Sequence, residues 1–286
     1  MIFHIYMIVF IKIIIYPIIK MKLLFWNVQK KDLTNQVAEL IGEQNPTIIS
    51  LAESEGIDVN HFLNILKEQF SLKYKHIENP GCDKIKIFCL DEINLDLSYQ
   101  HKDYSMVKLP FNDGTYLLCF VHLPSKLHQT DEQQRRACER LYNSVLLEER
   151  SHNTDNTIIM GDFNVNPYEP AMISFSGLAA SNGIDCSKRN SITSDGESKK
   201  LFYNPMWTLY SQYKERPGSH QYAKTGVSVS SWHFLDQVII RPSLVEKFNF
   251  DELKFLTKTK TFNHVSNVGR PTTSDHLPLV CAFRFL

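Results

Sequence analysis

The chain carries no excess of charge of either sign. Lys and Arg together number 31, as do Asp and Glu, so no global positive field draws the protein to a polyanion from long range. That weakens a general nucleic-acid-binding reading without removing it, because basic clusters remain at Lys188-Arg189, Lys199-Lys200, Lys214-Glu215-Arg216, and Lys258 with Lys260. Solvated loops are the ordinary explanation of such clusters. The six cysteines show no paired spacing such as Cys-x-x-Cys. A disulfide framework and a cysteine zinc site are therefore disfavoured, and the expectation is buried thiols in a reducing, cytoplasmic compartment. Internal repeats are absent, and the isoleucine-rich start is the single low-complexity tract.

That start, residues 2–19, has about the 18 apolar residues that begin to suffice for a bilayer span, yet it contains His4, Lys12 and Pro17. It lacks the basic opening and small-residue cleavage site of a signal peptide. Two expectations follow for residues 1–20. One is a membrane anchor that holds the folded domain on the cytoplasmic side, with Lys20, Lys22, Lys30 and Lys31 inside. The other, which we favour, is an upstream extension outside the working protein: a strand starting near Lys22 leaves no linker to a bilayer, and Met21 reads naturally as a chain start.

What is present suits one α/β domain over residues 21–286. A chain of 286 residues with 43% hydrophobic content can bury a single sizeable core. Val37–Gln44, capped by Thr34 or Asn35, and Val59–Phe70 have helical spacing, and Asp131–Glu149 is the longest helix candidate. Strand-like runs cover Ile48–Leu51, Ile85–Leu90, Met106–Leu109, Tyr116–Val121 and Leu279–Phe285, with a hairpin signal at Asn112-Asp113-Gly114. Residues 181–200 and 211–231, polar and glycine-containing, are expected to be long loops.

The chemistry-bearing residues sit where apolar runs end. Gly161-Asp162-Phe163-Asn164 closes Thr157–Met160, Phe25-Trp26-Asn27-Val28 ends an early run, Glu53 follows Ile48–Ala52, and Ser274-Asp275-His276 precedes the last strand. Alternate strand residues share a face, so Asp162 and Asn164 are expected to point the same way. Three carboxylates, two amides and an imidazole suit a hard oxygen-binding cation such as Mg²⁺ and the hydrolysis of phosphate esters. Each residue also has a structural explanation. Asp-x-Asn before Pro167 is an Asx-type turn, Glu53 belongs to an acidic loop with Glu55 and Asp58, and a lone histidine commonly caps a strand. Trp26 and Trp232 read as packing residues. His61, His76, His101, His128, His220 and His264 have no ligand spacing and receive no role.

In this order, Trp26-Asn27-Val28-Gln29, Glu53, Gly161-Asp162-Phe163-Asn164, Asp236 and Ser274-Asp275-His276 resemble the signature blocks of the endonuclease/exonuclease/phosphatase family, across nearly the whole chain after Met21. The resemblance implies a four-layered α/β sandwich, two mixed β-sheets packed face to face with helices outside. It implies a divalent-metal-dependent phosphoesterase, most simply a phosphodiesterase or nuclease; separately from the resemblance, a monomer is expected. Mg²⁺ or Mn²⁺ would sit on Glu53, with Asn27 supporting that glutamate or the ion and Asp275 nearby. Asp162 would orient the attacking water, Asn164 would contact the scissile phosphate, and His276, paired with Asp236, would stabilise or protonate it. His122 resembles the strand-end histidine of secreted deoxyribonucleases and sphingomyelinases, where abasic-site endonucleases carry tyrosine. Arg135, on the helix after that strand, is a candidate phosphate anchor beside Arg136. The rival readings are a phosphatase or lipid phosphodiesterase of the same fold, and a catalytically silent binding module.

Overall fold

A computed structural model describes residues 19–111, 113–127, 129–212, 218–222 and 231–285. The apolar start before Ile19, Asn112 of the hairpin, His128 and the Lys214-Glu215-Arg216 cluster lie outside the described residues. The strands are β1 (Ile19–Asn27), β2 (Ile48–Ala52), β3 (Tyr74–Ile77), β4 (Ile85–Leu90), β5 (Asp96–His101), β6 (Tyr104–Phe111), β7 (Gly114–His122), β8 (Thr157–Asp162) and β9 (Ala180–Ser181). They continue with β10 (Ser191–Ser194), β11 (Glu197–Lys200), β12 (Phe202–Tyr203), β13 (His220–Gln221), β14 (Trp232–His233), β15 (Asp236–Ile240), β16 (Phe248–Phe255) and β17 (Leu279–Phe285). One sheet has the order β16-β17-β1-β2-β4-β3 and the other β5-β6-β7-β8-β15-β12-β9. Both are mixed, since β1 and β2 run parallel, as do β7 and β8, among antiparallel neighbours.

The period-two alternation of the central strands assigns the layers. Met21, Leu23 and Phe25 of β1 face inward and join Val107, Leu118, Phe120, Ile158, Met160 and Val238 of the opposite sheet in one core. Leu24 and Trp26 face outward and are covered by α1 (Thr34–Gln44) and α2 (Val59–Phe70) through Val37, Ile41, Phe62 and Leu66. On the far side, Leu117, Cys119 and Ile159 meet Cys138, Leu141 and Val145 of α3 (Asp131–Ser151). Helix, sheet, sheet, helix is the four-layered sandwich.

Local chemistry explains the helix ends. Asp58 accepts the His61 N–H at the start of α2, and Thr130 with Gln133 forms a capping box for α3; each cap stabilises by about 1 kcal/mol. Helix α1 starts inside its expected cap, because Asp32 Oδ1 accepts the Thr34 N–H and Thr34 itself is helical. It stops at Asn45, in the left-handed region at φ 47° just before Pro46. Residues 181–200 are not a loop: they hold a short helix, Ile184–Ser187, and the β10/β11 hairpin. Asp195 and Gly196, at φ 50° and 82°, make the tight turn that its two-residue connection requires. All six cysteines are free thiols, five of them buried. No helix among the described residues is long and apolar enough to cross a membrane.

Candidate active site

Paired parallel strands end together, so β1/β2 and β7/β8 deliver Asn27, Glu53, His122 and Asp162 to one rim. The antiparallel strands β15 and β17 begin at that rim. Asp236 is register partner to Asp162, and Ser274-Asp275-His276 leads into β17 alongside β1. Gly161 is needed for this: at φ 152° it pairs so closely with Val121 that a Cβ would lie 2.1 Å from the Val121 carbonyl oxygen.

Asn27 is buried and joins two carboxylates. Its amide nitrogen donates to Glu53 Oε1 at 3.2 Å and to Asp162 Oδ2 at 3.1 Å, while its oxygen accepts the Gln29 N–H at 3.0 Å. Glu53 sits at φ 47°, held there by its N–H on the Lys84 carbonyl and its own carbonyl on Lys30 N–H. Backbone strain of this kind persists where surrounding structure over-determines it. His122 Nε2 lies 3.4 Å from Glu53 Oε1 and 3.7 Å from Asp162 Oδ2. The His122 contact, opposed by burial and aided by Asn27, holds the Glu53 carboxyl down at about 2.

Across the rim, His276 Nδ1 meets Asp236 Oδ2 at 2.7 Å and His276 Nε2 faces Asp162 Oδ2 at 3.9 Å. Burial alone would lower the His276 pKa, but the charges of Asp236 and Asp162 prevail and raise it to about 10. The protonated imidazole is thereby favoured beside the two carboxylates, while burial raises the Asp236 pKa in turn. Trp26, in the packing position expected of it, donates its indole N–H to the His276 carbonyl at 2.9 Å, and Ser274 Oγ donates to the Asn27 carbonyl at 2.7 Å. These bonds fasten the last block to the first.

Asn164, at φ 53°, donates its backbone N–H to Asp162 Oδ1 at 2.9 Å and its amide to the Leu123 carbonyl at 2.8 Å. The Asx turn and the rim placement thus coexist in one segment. Arg135 is not brought to the cluster: its donors go to Glu132, Glu139 and the Ser176 carbonyl. Its neighbour Gln134 does reach the rim segment, donating to the Asn164 carbonyl at 2.9 Å.

His220 is the residue sequence reasoning passed over. It forms a β-bridge with His276, its ring centre lies 4.6 Å from that of His276, and Nε2 faces Asp275 Oδ2 at 3.8 Å. Burial and then the His276 charge push its pKa down to about 4. No spacing in the sequence signals this, because the bridge crosses 56 residues of chain.

The donors suit a divalent cation. Glu53 is ionised and its side chain is a quarter exposed, and Mg²⁺ commonly takes only one or two carboxylates, with water completing its shell. Among the described residues two groups place ligand atoms within 4.8 Å of one another, His220 with Asp275 and His276, and Asp162 with Asp236 and His276. Glu53 belongs to neither, so Glu53 and Asp275 are not brought into one such three-residue cluster.

Fold and rim together define the class: a hydrolase with the sandwich of metal-dependent phosphoesterases. The chain belongs to the endonuclease/exonuclease/phosphatase family, whose model matches residues 24–276. It is similar in fold to D. rerio TDP2 crystallised with a single-stranded DNA product, at TM-score 0.55 and 16% identity over 92% of this chain and 98% of that one. It is also similar to the human nocturnin catalytic domain with bound sulfate, at TM-score 0.54 and 15% identity over 93% and 95% of the two chains. A Bacteroides thetaiotaomicron member of the family gives 0.55 and 15% over 94% and 99%. No curated protein matches the chain in sequence.

Proposed function

We propose that the chain is a divalent-metal-dependent phosphodiesterase acting on nucleic acid, working as a cytoplasmic monomer through in-line attack of an activated water. The observation that carries this reading is the shared position of Asp162, which Asn27 ties to Glu53 on one side while the Asp236-paired His276 faces it on the other. A Mg²⁺ or Mn²⁺ ion held by Glu53, with Asp275 nearby, would neutralise charge on the phosphate. Asp162, a buried carboxylate, accepts the proton of the attacking water. Asn27 keeps Glu53 and Asp162 apart and aimed. His276 offers its Nε2–H to a phosphate oxygen or leaving group, and Asp236 holds the ring's direction and favours its protonated form through Nδ1. His122 Nε2, beside Glu53, is placed to donate to a second oxygen. Asn164 holds the turn that aims Asp162, and its remaining amide N–H is available to the phosphate. The D. rerio TDP2 complex with a single-stranded DNA product supports a nucleic-acid substrate.

The zero net charge favours the second reading, a phosphatase or lipid phosphodiesterase. One panel decides between them: single- and double-stranded DNA, RNA, bis-p-nitrophenyl phosphate, p-nitrophenyl phosphate and sphingomyelin, each with Mg²⁺, Mn²⁺ or EDTA, beside Asp162→Ala. Metal-dependent cleavage of nucleic acid that falls at least a hundredfold in Asp162→Ala is the expected result. Turnover confined to the monoester or the lipid selects the second reading. Silence across the panel in folded protein overturns both and leaves a binding module.

A further inference from the structure

We infer that His220 is a nitrogen ligand in a cation subsite shared with Asp275, and that it biases the protein toward Mn²⁺ or Zn²⁺ over Mg²⁺. The inference rests on the metal-dependent reading above and adds to it a residue and a metal preference.

The backbone fixes the ring. Strand β13 pairs with β14 through His220 and His233, bridges to His276, and accepts the Leu277 N–H on the Ser219 carbonyl at 2.8 Å. Ser219 Oγ also accepts the Asp236 N–H at 3.1 Å. His220 is thereby tied to both segments that carry the Asp236–His276 pair, with little freedom to turn away. Its Nδ1 is closed to solvent, so Nε2, which faces Asp275, is the nitrogen a ligand can reach; ligation there leaves the Nδ1 proton without a protein acceptor.

Nε2 and Asp275 Oδ2 are 3.8 Å apart. That is too long for a hydrogen bond, whereas two donors each about 2.0–2.2 Å from a shared ion can stand that far from one another. Asp275 is the open member of the pair, its side chain 42% exposed against 17% for His220, so the ion would be reached from solvent on the Asp275 side. A nitrogen of His276 also falls within reach of both, but Nδ1 is engaged by Asp236 at 2.7 Å and Nε2–H is the proposed donor to phosphate. The subsite therefore has two protein ligands, with water or a substrate oxygen completing the shell. Mg²⁺ prefers oxygen donors alone, while imidazole suits the transition metals. A structural alternative, in which His220 merely packs against His276, asks nothing of Asp275 and confers no metal preference.

The test is binding of Mn²⁺ alone and Mg²⁺ alone to the full chain without substrate, by titration calorimetry, together with the ¹⁴N modulation in the pulsed electron spin resonance of bound Mn²⁺. Wild type, His220→Asn, Asp275→Asn and His122→Asn are compared, with circular dichroism confirming the fold. Asp275→Asn changes an exposed side chain and keeps the test decisive should His220→Asn fail to fold. His220→Asn and Asp275→Asn should each weaken Mn²⁺ binding about tenfold or more, and Mg²⁺ affinity should be little changed in His220→Asn. The ¹⁴N signal should vanish in His220→Asn and persist in His122→Asn. Mn²⁺ affinity unchanged in both His220→Asn and Asp275→Asn, or a ¹⁴N signal lost only in His122→Asn, overturns the subsite while leaving metal-dependent hydrolysis intact. Absence of any divalent-ion binding and of any metal-dependent turnover in wild type overturns the functional reading as well.

Discussion

His276 Nδ1 and Asp236 Oδ2 lie 2.7 Å apart, with side-chain exposures of 7% and 0%. At that distance and depth, the pair fixes the protonation of the imidazole as well as its direction. The folded pKa of His276 is raised to about 10, so the protonated form, the proposed donor to phosphate, is favoured through neutral pH and is lost as pH rises toward that value. Asp236→Asn keeps the shape and an acceptor oxygen but removes the charge. The rate should fall about 10–100-fold, and the alkaline limb of kcat/KM should move to lower pH, toward the ordinary histidine range. A pH–rate profile measures both, and an unmoved alkaline limb would count against Asp236 as its cause.

Gly161→Ala tests the backbone under Asp162. A methyl group there would stand 2.1 Å from the Val121 carbonyl oxygen, at a φ of 152° that L-residues seldom adopt. The neighbour is a strand backbone, so yielding would break the β7/β8 pairing that sets His122 beside Asp162. We expect a loss of at least about 3 kcal/mol, read as a lower urea midpoint or as insoluble protein. A variant as stable as wild type would mean that the strands can separate at little cost.

A buried ion pair far from the rim makes a different kind of prediction. Arg241 Nε meets Glu149 Oε1 at 2.7 Å with both side chains at most 2% exposed, Thr157 Oγ1 donates to the same carboxylate oxygen at 2.6 Å, and the guanidinium stacks 3.8 Å over Phe202. Removing one partner strands the other charge in the interior. Glu149→Leu or Arg241→Met alone should cost about 3–5 kcal/mol, whereas the double variant should cost distinctly less than the sum. Denaturant melts of the four proteins give the coupling, and strict additivity would show that the pair is not acting as a unit.

The parts of this molecule that could be read from sequence are those whose signal is local. Helix α2 begins and ends where Phe62 and Leu66 spacing places it, and Asn27, Glu53, Asp162 and His276 could be found because each borders an apolar run at a rim. Strand order was not legible, since the pairing of Asp236 with Asp162 joins β15 and β8, strands far apart in the chain, within one sheet. The β10/β11 hairpin hid because Ser, Thr, Glu and Lys supply no apolar alternation, leaving Asp195-Gly196 as its single cue. Arg135 looked like a phosphate anchor by residue type, yet carboxylates one helical turn away, Glu132 and Glu139, claim its donors. His220 acquires its meaning from a bridge to His276 that no window of sequence contains.

His264 offers the clearest pH dependence of stability outside the rim. It is 1% exposed, packs edge-on to Trp26 with ring centres 5.0 Å apart, and has no partner for Nε2. Burial pushes its folded pKa down to about 4, from an ordinary value of 6.5. Between those values the unfolded chain binds a proton that the folded chain refuses, so this contribution to stability is full above pH 6.5 and is lost as pH falls toward 4. In His264→Phe that loss should be missing. The stability difference between wild type and variant should shift against wild type by about 1–2 kcal/mol on going from pH 7 to pH 4.5, allowing for partial solvent screening. Paired urea melts at the two pH values measure it, and parallel curves for the two proteins would show that His264 titrates alike in the folded and unfolded states.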